Sequence, residues 1–145
     1  MTYGTDNLAG IDFSKPTVIP VPGERDYATV FAAFSLGQEA AGTDASEWLY
    51  CLIGSGGVTA ASYACAISEA FEAVMLSNAT GAFNRKIGIA SCASSAGQYA
   101  WMQVYGPADI RVAASAAANV NLYTTATAGV LDDDSTSGYP TGIVL

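Results

Sequence analysis

Residues 86–134 constrain the fold more than any other part of the chain. They alternate strand-forming runs with turn-forming residues at short intervals. Lys86–Ala90 reads Lys-Ile-Gly-Ile-Ala, a short strand, and a small-residue loop follows over 91–97. In Tyr99–Tyr105 the larger residues Tyr99, Trp101, Gln103 and Tyr105 alternate with Ala100, Met102 and Val104. That pattern suits a strand between a tight core and a second apolar surface. Gly106-Pro107 turns the chain. Residues 108–113 then alternate Ile110 and Val112 inward with Asp109 and Arg111 outward, which predicts a hairpin with the strand before. After an Ala-rich spacer, 121–127 reads as a Thr/Tyr-rich strand, 132–138 as an exposed loop and 141–145 as a closing strand.

Upstream the pattern is less uniform. Glu47–Ile53 is apolar on both faces, which predicts a strand buried on both sides, or half buried and half in an interface. Gly54-Ser55-Gly56-Gly57 is a turn. Residues 63–75 fit a strand, with a helix as the alternative because Tyr63, Ile67, Phe71 and Val74 recur near a 3.6 period. Residues 37–46 read as a loop, and 27–36 carry conflicting helix and strand signals. Residues 1–25 hold Pro16, Pro20 and Pro22 with few large apolar residues, and the prolines force 18–22 to be extended. The expected architecture is all-β: a small β-barrel or sandwich of about seven or eight short strands. An extended Pro-rich arm over 1–36 precedes a single β-domain over 37–145.

A chain of 145 residues buries roughly 70% of its unfolded surface, so a core needs no metal or disulfide. It is 51% hydrophobic and 12% charged, against a usual charged share of about 25%. Contact with other subunits is the plain way to hide such surface. No apolar run is long enough for a membrane helix, so no membrane is expected. The net charge is −8, and Lys15, Arg25, Arg85, Lys86 and Arg111 are scattered, which argues against nucleic acid. Cys51, Cys65 and Cys92 are an odd, widely spaced set, expected to be reduced and buried. The N-terminal residues lack a signal-peptide pattern, so assembly in a cytoplasm is expected.

Chemistry finds few footholds. There is no histidine, and neither Lys15 nor Lys86 lies in a Ser/Lys motif. Glu47, Glu69, Glu72 and Asp109 include no pair marked out for glycoside hydrolysis. Asp132-Asp133-Asp134 lacks the alternating ligands of a calcium loop and reads as a solvated turn. Gly54-Ser55-Gly56-Gly57 has no following lysine and is not a phosphate loop. The expectation is therefore no enzyme, no cofactor and no metal. Tyr99, Trp101 and Tyr105 could serve as a subunit interface or stack on a sugar ring, which leaves a carbohydrate-binding or host-adhesion module as the alternative function.

Over residues 86–145 the chain resembles the small decoration (cement, head-stabilising) proteins of tailed-bacteriophage capsids. The residues that carry the resemblance are Ile-Gly-Ile-Ala, Gly-Gln-Tyr-Ala-Trp-Met-Gln-Val-Tyr-Gly-Pro-Ala and Ile-Arg-Val-Ala-Ala-Ser-Ala-Ala-Ala. Leu-Tyr-Thr-Thr-Ala-Thr-Ala-Gly-Val-Leu-Asp-Asp-Asp and the closing Thr-Gly-Ile-Val-Leu complete it. Ala100 stands where the family pattern has glycine. The resemblance implies a small β-fold on the outside of an icosahedral shell, often a homotrimer, with the major capsid protein as partner and the virion surface as location. On that reading the arm faces the shell through Tyr3, Ile11, Phe13, Val18, Tyr27, Phe31 and Phe34. Deleting 1–25 is then expected to abolish shell binding and leave the barrel folded.

Overall fold

A computed structural model describes residues 12–16, 34–80, 85–136 and 138–144. Within them the chain is all-β, as expected: nine strands and no helix among the described residues. The strands are β1 (Glu39–Ala41), β2 (Glu47–Ile53), β3 (Ala64–Ile67), β4 (Glu72–Met75), β5 (Lys86–Ala90), β6 (Tyr99–Tyr105), β7 (Asn121–Thr124), β8 (Leu131–Asp132) and β9 (Pro140–Val144). Strands β2, β4, β3, β5 and β6 pair in that order, and β6 pairs back onto β2, closing a five-stranded barrel. Strand β1 hangs on the free half of β2, and β8-β7-β9 form a second sheet.

A barrel of so few strands has a narrow interior, and the inward residues are correspondingly modest in size. Leu49, Cys51 and Ile53 from β2 meet Cys65, Ile67, Ala73, Ala90, Ala100 and Met102. A Cβ at inward-facing Gly88 would lie 2.8 Å from Met102 Cβ and 3.0 Å from Ile67 Cδ1, so the interior has no room there for a side chain. The outward residues of β3 and β5, Ala64, Ala66 and Ile89, pack against Leu122 and Leu131 of the second sheet. Strand β2 is thus buried on both faces, as its sequence predicts.

Four sequence expectations are corrected. Residues 63–75 form two strands rather than one: β3 and β4 make a hairpin around Ser68, whose carbonyl accepts from Phe71 N and whose Oγ accepts from Glu72 N. Phe71 sits at φ 58°, a left-handed conformation unusual for a bulky residue. Its ring fills the space beside Gly37, where a Cβ would come within 2.4 Å. Strand β1 lies inside the expected 37–46 loop. Its sequence Glu-Ala-Ala has little β-propensity, and pairing with β2 imposes the conformation. Residues 108–113 do not form a hairpin with β6, because β5 and β2 already occupy both its edges. Instead Arg111 N donates to Ser62 O, Ala113 N donates to Leu131 O, and Ile110 and Val112 join the second core. Finally, the alternation along β6 stops short. The register shifts where Trp48 pairs with Gln103 and Glu47 with Tyr105, so Val104 is an extra residue and Tyr105 leaves the line of Trp101.

Candidate functional site

The outer wall of β2 and β6 carries a cluster of aromatic rings. Trp48 and Tyr50 come from β2, Tyr99 and Trp101 from β6, and Phe13 and Phe34 cover them from the N-terminal region. Phe13 is 1% exposed. Its ring stacks on Trp48 at 4.5 Å and 3°, and meets Trp101 edge-on at 5.4 Å and 82°. Phe34 stands edge-on to Tyr50 at 5.4 Å and tilted against Trp101 at 5.5 Å. Such pairs are each worth about 0.5–1.5 kcal/mol beyond the area they bury.

Local sequence prepares both sides of this contact. Asp12 Oδ1 accepts from Ser14 N at 3.0 Å and from Ser14 Oγ, and Asp12 Oδ2 pairs with Lys15 Nζ at 3.5 Å, which folds residues 12–15 into a turn presenting Phe13. The Ser14 hydrogen bonds hold the Asp12 carboxyl below its ordinary range. Ser91 Oγ donates to Phe13 O, tying the segment to the barrel. On the wall, Asp44 Oδ1 accepts from Ser46 Oγ, and Ser46 Oγ accepts from Trp48 Nε1 at 2.7 Å. That relay fixes the indole on which Phe13 stacks. Trp101 Nε1 is buried without a hydrogen-bond partner among the described residues.

The sequence-derived residues therefore separate. Tyr3, Ile11, Val18, Tyr27 and Phe31 lie outside the described residues. Phe13 and Phe34, expected on a shell, turn their rings onto the chain's own wall. Tyr99, Trp101 and Tyr105 do not form one exposed platform: Tyr99 is half-buried and stacked on Tyr50 at 5.8 Å, Trp101 is 0% exposed, and Tyr105 is 66% exposed. Sequence reasoning missed Trp48, Tyr50 and Ser91 as partners of the arm. The available signal was the excess of aromatic residues on the second face of β2.

The remaining candidates are structural. Asp133 Oδ2 accepts from Ala117 N at 3.0 Å, and Asp134 Oδ1 accepts from Thr136 N at 2.8 Å, so these carboxylates of the 132–134 run tie down backbone. Among the described residues no three His, Cys, Asp or Glu side chains are placed to share a metal ion. Cys51, Cys65 and Cys92 are free and buried, and burial pushes the Cys51 and Cys65 thiols up to about 12. A second apolar feature lies at the far end of β6. A groove of about 400 Å³ runs between Val104, Tyr105 and Ile87 on one side and Ile143 and Val144 of β9 on the other. No protein-family model, no curated protein and no solved structure matches the chain.

Proposed function

We propose that this chain is a structural virion protein that binds the outside of an icosahedral bacteriophage capsid and braces contacts between capsomers. The observation that carries the reading is the fastening of the N-terminal region. Phe13 and Phe34 are both anchored on the β2–β6 wall, so segment 17–33 lies in the sequence between two residues that are fixed to the domain. A segment flanked in this way can reach a neighbouring surface while losing less chain entropy on binding than a free tail. Its apolar side chains, Val18, Tyr27 and Phe31, are the contacts assigned to the shell, with Tyr3 and Ile11 before the first anchor. Low charge and high apolar content support a protein that works by burying surface against other proteins. The partner is the major capsid protein.

The test is co-sedimentation of the purified chain with expanded shells. The triple variant Val18→Ser, Tyr27→Ser, Phe31→Ser should lose binding while the fluorescence of Trp48 and Trp101 stays that of the folded domain. Undiminished binding by that variant removes segment 17–33 from the contact. Failure of the wild-type chain to bind shells sinks the function itself.

A further inference from the structure

We propose that the groove between β9 and the end of β6 is where a second copy of this chain docks, with Tyr105 of each copy entering the groove of the other. The proposal extends the reading of the protein as one that acts through protein contacts, but does not depend on a shell as the partner.

Three observations carry it. The first is exposure: Tyr105 is 66% and Val144 62% exposed, the two most exposed large apolar side chains among the described residues. They stand at the rim of one hollow with Ile87, Val104, Ile110 and Ile143. Two such neighbours on one surface mark a contact site.

The second is charge. No described residue lining the groove is charged, in a chain of net charge −8. A basic partner would be drawn to the carboxylates, and an uncharged groove gives it nothing to pair with. Two copies of an acidic chain repel each other wherever their charges face, so a homotypic contact is favoured at the uncharged groove lining, with Glu47, the cross-strand partner of Tyr105, as the nearest paired carboxylate outside it.

The third is shape. Strand β9 is an edge of its sheet, but its pairing with β7 slips between Asn121↔Val144 and Tyr123↔Pro140, and Gly142 sits at φ 76°. This bulge interrupts the row of backbone donors and acceptors that an added strand would need. The groove is therefore suited to side chains rather than to a strand. Tyr105 both lines the groove and projects from it, so the patch contains a knob and its hole. A patch of that kind complements itself about a two-fold axis, and each groove is completed by the other copy's tyrosine.

Sedimentation equilibrium on the purified full chain, with no shell present, tests this. The wild-type chain should show a two-chain mass that dissociates on dilution. Tyr105→Glu should raise the dissociation constant about tenfold or more, as loss of a central aromatic anchor does. Val144→Asp, at an exposed edge position, should act in the same direction and decides the matter if the first variant does not fold. Near-ultraviolet dichroism of the buried indoles monitors the fold. A single-chain mass at about 0.1 mM, weaker than almost any specific contact, overturns the proposal. So does a three-chain mass, or a two-chain mass that neither variant changes. The two readings fail separately: loss of self-association leaves shell binding standing, and loss of co-sedimentation leaves the pair standing.

Discussion

Strand β6 carries one aromatic residue that the chain covers and another that it leaves bare. Trp101 is enclosed by Phe13, Phe34 and Tyr50. Tyr105, beyond the Val104 bulge, faces solvent at the rim of a groove. The sequence treats them as equivalent members of one alternating face. The difference is that segments remote in sequence reach the first and no described segment covers the second. Burial by the chain itself makes Trp101 a stability residue, whereas exposure leaves Tyr105 free for contact with another molecule.

Substitutions separate the two roles. Trp101→Ala should have the largest effect, a loss of about 3–5 kcal/mol of unfolding free energy, because it opens a cavity under three rings. Urea titration followed by circular dichroism checks it. Phe13→Ala should cost about 3 kcal/mol, as for a buried phenylalanine, and should expose Trp48 to quenchers. Deleting 1–25 removes the same ring, so it should destabilise the barrel as well as affect binding, contrary to the expectation from sequence. An unchanged denaturation midpoint in either would show that the wall does not need its cover.

Gly88→Ala should cost about 1–3 kcal/mol, since the new methyl meets Met102 and Ile67 within the barrel. High pH should also weaken the fold. Cys51 and Cys65 are raised from an ordinary 9.0 to about 12. Their contribution is complete below pH 9.0 and is lost as the unfolded thiols, but not the buried ones, ionise between 9.0 and about 12. Denaturation midpoints that stay level on raising the pH through that window would contradict the burial of these thiols. Tyr105→Ala should have the smallest effect on the stability of one chain, within about 0.5 kcal/mol, measured at concentrations too low for association. A loss as large as that of Trp101→Ala would erase the contrast.

Much of the barrel was legible because its signals are local. The two apolar faces of Glu47–Ile53, the alternation through Met102 and the turns at Gly54 and Gly106 follow from which residues fit a pleated surface and which tolerate a bend. The split of 63–75 was not legible, because Phe71 adopts a left-handed conformation that no propensity favours and that its fit against Gly37 sustains. The covered wall was half legible. Its rings stand out on β2 and β6, but the residue that seals them, Phe13, read as part of an arm turned outward.

Composition and period determined that this chain would be a small β-protein with buried cysteines and a surplus of apolar surface. They determined it because strand alternation and turn chemistry act over a few residues. Tertiary structure decided strand partners and which surplus is hidden. Strands β2 and β5 took both edges of β6, so 108–113 went to the second sheet. The extra residue Val104 moved Tyr105 out of line with Trp101. These outcomes depend on which edges and hollows remain when distant segments meet, and no local pattern records that.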